Sequence, residues 1–358
     1  CRISYCSNYL YIFKRYFVAK WHTNLTVFLV HFTMYRCIFE TYKCISGSVT
    51  DSYYVNLLLE HGFIITCYNV YMKTLREYIL EAKEKGIAVG HFNASTLDGI
   101  WAIADAAKEL DLPVIVGLSE GERDFVGVET ASAVVRAIRE SRNQPIFLNA
   151  DHTYSFERVK EAIDAGFDSV IFDGAQLSLE DNIKTTKKCV EYARSCGREV
   201  LVEGELGFIG TSSKILDSIP DGAAVGDDML TKVSDATKFV EETGVDMFAP
   251  AVGNIHGIVK GGDPALNPSR VKEISTATSL PLVLHGASGN TADDIRSAIK
   301  SGVAVVHVNT ELRVAYRSGL VKSLSDNHDE VSPYKYLKPA KLAMQRVVEE
   351  KLKIFSMK

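Results

Sequence analysis

The chain has 358 residues, of which 46% are hydrophobic and 24% charged, with a formal net charge of −5. This supplies apolar material for a sizeable core and excludes a disordered chain, a collagen-like repeat and a disulfide-stapled mini-domain. The acidic balance argues against a nucleic-acid partner, and no uncharged apolar run reaches the roughly 18 residues of a membrane span.

Composition breaks near residue 72. Cys1, Cys6, Cys37, Cys44 and Cys67 precede Met72, whereas all nine prolines follow residue 112. Tyr and Phe crowd residues 1–71, which carry no clean helical or strand period and few turn signals. Lys14, Arg15 and Lys20 interrupt the apolar stretch that a signal peptide would need. The expectation is an N-terminal extension without assigned function, arising from upstream sequence or a mis-called start, with the native protein beginning at Met72. The competing reading is a genuine extension or an interfacial membrane segment.

From residue 72 onward, apolar strand-length runs alternate with amphipathic segments. Strands are predicted at 87–92, 113–119, 145–151, 169–174, 199–206, 246–252, 281–287 and 303–309. They are β-branched and nearly continuous, as strands buried on both faces should be. Helices are predicted at 96–110, 128–141, 155–165, 180–195, 231–243, 268–277, 291–301 and 334–352. Eight βα units over residues 72–358 imply a single α/β domain, a (β/α)8 TIM barrel. The rival doubly wound sheet is disfavoured because no GxGxxG follows the first strand.

In such a barrel the chemistry sits at the C-terminal ends of the strands. His152, His256 and His285 each end or follow a different strand. A lone histidine there is more often structural, but three at convergent ends point to a metal with an open position. Asp151 adjoins His152. It is a candidate general acid/base, or else a carboxylate that orients a histidine ligand. The run from His285 to Gly289 and the Asn309–Thr310 pair fall in the loops after strands 7 and 8, where backbone N–H groups commonly collect phosphate. Lys260, four residues beyond His256, either adds positive charge there or is a solvated surface lysine.

Together these segments resemble the class II, zinc-dependent ketose-bisphosphate aldolases over residues 72–358. The resemblance is carried by Gly90-His91-Phe92-Asn93, Ser119-Glu120-Gly121, Asn149-Ala150-Asp151-His152, Glu203-Gly204-Glu205-Leu206-Gly207, Gly253-Asn254-Ile255-His256-Gly257, His285-Gly286-Ala287-Ser288-Gly289 and Val308-Asn309-Thr310-Glu311. It implies zinc bound by His152, His256 and His285, with Glu205 as an auxiliary ligand or a group just behind. It implies that zinc stabilises an enediolate of dihydroxyacetone phosphate while Asp151 moves the hydroxyl proton. Gly257, Gly286, Ser288, Asn309 and Thr310 would hold phosphate, and Asn93 and Ser119 would contact the triose. Some members also bind a monovalent cation near the glycine loops. The family further implies a lyase of carbohydrate metabolism and glycolysis, acting on a small phosphorylated sugar as a homo-oligomer, dimer or tetramer, while the absent signal peptide and few cysteines point to a cytoplasmic location.

The chain departs from better-known members in three places. The loop Phe208–Lys214 lacks the glutamate that handles the carbon-bound proton. His307 replaces an asparagine and is expected to line the site or to be held inside the barrel. Ser332-Pro333-Tyr334-Lys335 stands where an Asp-Pro-Arg grips the second phosphate, leaving Lys335 or Lys338 as substitutes. The leading reading is reversible cleavage of fructose 1,6-bisphosphate to dihydroxyacetone phosphate and glyceraldehyde 3-phosphate. Alternatives are a tagatose-bisphosphate or other dihydroxyacetone-phosphate-dependent aldolase, and a catalytically impaired phosphosugar-binding barrel.

Overall fold

The computed structural model describes residues 72–211, 213–223 and 226–358, so every expectation placed on residues 1–71 lies outside the described residues. Helix α1 (Leu75–Lys85) comes first. Thr74 caps it reciprocally: its hydroxyl accepts from Glu77 N, and the Glu77 carboxylate accepts from Thr74 N at 2.7 Å. Leu75, Ile79 and Ala82 form its buried stripe.

Eight strands close into a wholly parallel ring: β1 (Val89–Asn93), β2 (Val114–Leu118), β3 (Ile146–Thr153), β4 (Ser169–Phe172), β5 (Leu201–Leu206), β7 (Met247–Pro250), β9 (Leu282–Leu284) and β10 (Val303–Val308). Each runs beside its neighbour in sequence, and β10 returns to β1. Between them lie α2 (Leu97–Leu110), α3 (Glu120–Val126), α4 (Val128–Arg142), α5 (Phe156–Ala165), α6 (Leu179–Ser195), α7 (Val233–Thr243), α8 (Pro268–Thr278) and α9 (Ala292–Ser301). The chain ends in α10 (Thr310–Asp326), α11 (Pro333–Tyr336) and α12 (Lys338–Phe355). The expected barrel is therefore present. Among the described residues no helix is long and apolar enough to cross a membrane.

Alternation along the strands sorts the interior into layers, because every second side chain points inward. Val89, Ile115, Phe147, Leu201, Met247, Val283 and Val305 form an apolar layer with the α1 stripe, sealing the N-terminal end. Two residues further along β1, β3, β5 and β10 the layer turns polar: His91, Asn149, Glu203 and His307 are all buried there. A further two residues on lie Asn93, Asp151 and Glu205, also buried. The outward faces pack on the helices in the main core, which includes Phe92, Val116, Leu148, Val170 and Phe248.

The structure adds elements that periodicity did not predict. Two-residue strands β6 (Ile215–Leu216) and β8 (Ile258–Val259) pair in parallel outside the ring. Helices α1, α3 and α10 were also unpredicted, and α10 directly follows the last barrel strand, where only a helix at 334–352 was expected. Sequence hides α10 because just Thr310 and Leu312 are buried on it. It packs on α12 by close approach: a Cβ at Gly319 would lie 2.9 Å from the Ala340 Cα. A mid-helix glycine normally argues against a helix, but here it admits the neighbouring backbone.

Candidate active site

The C-terminal mouth of the barrel gathers most of the residues singled out in the sequence. Asn93, Asp151, His152, Ser213, His256, Gly257, His285, Gly286, Ser288, His307, Asn309 and Thr310 line one cavity. The donor atoms of His152, His256 and His285 all lie within 4.8 Å of one another. Consecutive strand residues should face opposite ways, yet Asp151 and His152 share this cavity. The backbone accounts for it: His152 has φ of 40°, and the β3–β4 register shifts between Ala150 and Thr153.

One nitrogen of each imidazole is engaged by an oxygen. His152 Nδ1 lies 2.8 Å from Asp173 Oδ2, His256 Nδ1 2.6 Å from the Gly210 carbonyl, and His285 Nε2 2.7 Å from Glu203 Oε1. Each ring is thereby oriented with its other nitrogen turned away from that oxygen, free to donate a lone pair once the ring is neutral, as in histidine metal ligands. Tetrahedral zinc with nitrogens at about 2.05 Å would hold those nitrogens about 3.3 Å apart. His152 Nε2 and His285 Nδ1 are 3.2 Å apart. That pair has the spacing of two ligands on one zinc ion, and the His256 donor lies within 4.8 Å of both. Glu205 stands behind them, its unpartnered Oε2 3.5 Å from His152 Nδ1.

Asp151 is buried and held from two sides. Asn93 Nδ2 donates to its Oδ2 at 2.9 Å and also to Glu122 Oε2 at 2.9 Å. His307 Nδ1 faces its Oδ1 at 3.3 Å. Burial opposes ionisation of Asp151, but His152, His307 and His91 outweigh it and hold the carboxyl well below its usual range. Burial likewise works against charge on His152, yet Asp151, Asp173 and Glu205 push its pKa well up. His256 falls to about 4 through burial and the neighbouring His152, and burial also drives His285 well down. Burial lifts Glu203 and Glu205 well above the ordinary carboxyl range, reinforced by Asp151 and Asp173 respectively.

His307 lines the cavity and also rests on the polar layer below. Its ring stacks on His91, with centroids 3.4 Å apart and planes 2° apart. His91 Nε2 meets Asn149 Oδ1 at 3.2 Å, and Asn149 Nδ2 donates to Ser169 Oγ at 2.8 Å. A Cβ at Gly117 would come within 2.0 Å of His91 Cε1, so glycine makes the room for this ring. Parallel rings cannot aim in-plane lone pairs at one ion, so the His91–His307 pair is a support rather than a chelate.

The structure leaves other expected residues outside the cavity. Lys260 turns outward to Asp217 at 2.6 Å. Ser119 caps α3 and spends its hydroxyl on Glu122 at 2.9 Å. Lys335 pairs with Glu330 at 2.9 Å and lines a separate cavity with Lys322 and Asp326 at the far end of α10. The sequence reading missed roles for Asp173, Glu203, Glu122 and Arg313. Asp173, just past β4, and Glu203, on β5, were visible as acidic residues in inward-facing register. Arg313, on the first turns of α10 and half exposed, donates to Glu122 at 2.6 Å, and nothing in its local pattern marks it.

Residues 73–358 match the model of the family described as fructose-bisphosphate aldolase class-II. A fructose-bisphosphate aldolase of Staphylococcus aureus (strain Mu50) is 40% identical over 285 residues, covering 79% of this chain and 96% of that protein. A probable fructose-bisphosphate aldolase of Bacillus subtilis (strain 168) is 39% identical over the same shares of each chain. Among solved structures, the YdjI aldolase of Escherichia coli K12 superposes with a TM-score of 0.67 at 30% identity, covering 78% of this chain and 96% of that one. The chain belongs to the class II fructose-bisphosphate aldolase family and is a lyase.

Proposed function

We propose that this class II aldolase cleaves fructose 1,6-bisphosphate reversibly to dihydroxyacetone phosphate and glyceraldehyde 3-phosphate, with zinc held by His152, His256 and His285. The observation that carries the reading is the convergence of three oriented imidazoles and the buried carboxylate of Asp151 on one cavity. When bound there, zinc supplies Lewis acidity to the ketose carbonyl. Asp173 and Glu205, on the far side of His152, orient that ring and raise its basicity.

In the cleavage direction Asp151 accepts the proton of the C4 hydroxyl as the C3–C4 bond breaks and the C4 aldehyde forms. Asn93 keeps the carboxylate aimed, and its low pKa keeps it an acceptor. The electron pair left at C3 must then take up a proton. With Asp151 and the three imidazoles assigned, His307 is the remaining ionisable side chain among the described residues lining the cavity. Gly257, Gly286, Ser288, Asn309 and Thr310 receive the phosphate of the triose. A monovalent cation beside these glycine loops remains part of the proposal. Arg313, tied to Asn93 and Ser119 through Glu122, is our candidate for the second phosphate in place of Lys335.

Relatives named fructose-bisphosphate aldolase favour that substrate over its C4 epimer, tagatose 1,6-bisphosphate. A merely binding barrel would have no use for a buried carboxylate clamped at the mouth. Replacement Asp151→Ala should lower turnover by roughly 10²- to 10⁴-fold while metal and phosphate binding persist. Unchanged turnover would remove Asp151 from the reaction.

A further inference from the structure

We infer that Arg123 is a positioning residue for this site: its buried guanidinium holds the backbone on both sides of His152 and so keeps Asp151 and His152 facing one cavity. The inference rests on the roles proposed for those two residues.

Arg123 sits in the first turns of α3 and is fully buried. Nη1 donates to the Leu118 carbonyl at 2.6 Å and the Asp151 carbonyl at 3.1 Å, and Nη2 donates to Thr153 Oγ1 at 3.0 Å. One fork therefore ties the end of β2 to the residues immediately before and after His152. Among the described residues Arg123 has no ion-pair partner, and its Nε makes no hydrogen bond. No carboxylate touches this buried cation; Glu120, Asp151 and Glu161 act on it only from beyond contact, and three neutral acceptors offset the cost of burial only in part. Ordinary core packing would be served better by an apolar side chain of similar volume.

The place where this cation is kept explains its retention. At His152 the chain takes a left-handed turn and the β3–β4 ladder slips. An imidazole-bearing residue held at positive φ persists only where its surroundings over-determine it. Arg123 supplies that constraint. The same turn of helix carries Glu122, which anchors Asn93, the partner of Asp151. The first turns of α3 thus brace both the candidate acid/base and the candidate ligand beside it, from behind the cavity.

The test is a cobalt titration of the metal-stripped full chain, following visible absorption and affinity together with the unfolding temperature. Arg123→Lys keeps a charge but loses the fork, and Thr153→Val removes one acceptor. We expect Arg123→Lys to lower cobalt affinity at least tenfold and shift the absorption band, with a smaller change in the same direction for Thr153→Val. A general stabilising role would lower only the unfolding temperature. Affinity within twofold of the parent and an unshifted band in both variants would overturn the inference. If Arg123→Lys does not fold, Thr153→Val decides by the same two readouts. The parent and His152→Ala are titrated alongside. A parent that does not bind cobalt, or a His152→Ala protein that binds as well as the parent, refutes the metal-site reading itself and the inference with it.

Discussion

Replacement of Asp173 by alanine isolates the support behind the candidate metal centre. The Asp173 carboxylate contacts His152 Nδ1 at 2.8 Å, in a cluster that is mostly shielded from solvent. Loss of such a partner typically weakens metal binding by about 10- to 100-fold, or about 1.4–2.7 kcal/mol. The structure places the expected value at the lower end. Glu205 Oε2 lies 3.5 Å from the same nitrogen and has no hydrogen bond of its own, so it can close in on the vacated donor. Asp173→Ala with Glu205→Gln should therefore approach the upper end. A second effect opposes the first. Asp173 helps raise the pKa of His152, so its removal eases proton competition for that ring at neutral pH. Competition against a chromophoric chelator at two pH values separates the effects, and the deficit should be larger at the higher pH. Affinity within twofold of the parent at both would refute the idea that Asp173 orients a ligand.

Further expectations follow from the same geometry. Asp151, Asp173 and Glu205 push the pKa of His152 well up, so zinc must displace a proton from that ring; calorimetry in buffers of different ionisation heat would detect the release, and a heat independent of buffer would contradict this. Gly117→Ala would place its Cβ 2.0 Å from the His91 ring, and a loss of about 1–3 kcal/mol is expected in denaturant unfolding. Adding His91→Ala should recover part of that loss, whereas strictly additive effects would argue against the clash. Arg313→Met should raise KM for fructose 1,6-bisphosphate far more than for fructose 1-phosphate. Equal changes for both substrates would exclude Arg313 from the second phosphate.

The sequence made the barrel legible because its strands are buried on both faces and its helices mostly carry an apolar stripe. It did so less well where another interaction replaces that stripe. Helix α10 is held by a glycine contact with α12, and α3 is a short helix defined by the Ser119–Glu122 capping box. The mouth residues were legible for a different reason: His152, His256 and His285 each end or follow a different strand, and strand ends converge in this fold. The unassigned roles lie one layer lower or come from helices. His91, Asn149 and Glu203 stand in the strings that carry the resemblance, but their part as supports follows only from period-two alternation extended into the barrel. Of the two readings of Lys260, the structure matches the solvated surface lysine: proximity in sequence to His256 does not set the direction of a long side chain, and Asp217 draws it outward. The sharing of one cavity by Asp151 and His152 depends on a backbone turn whose bracket, Arg123, is distant in sequence.

Activation of a ketose phosphate through a bound metal, despite the loop that lacks a carboxylate, is tested most directly by exchange of the carbon-bound proton of dihydroxyacetone phosphate in D₂O, followed by NMR on the zinc-loaded and chelator-treated protein. The expected result is stereospecific exchange that is lost with the metal and restored by zinc. Absence of exchange in protein shown to hold zinc at His152, His256 and His285 would contradict it.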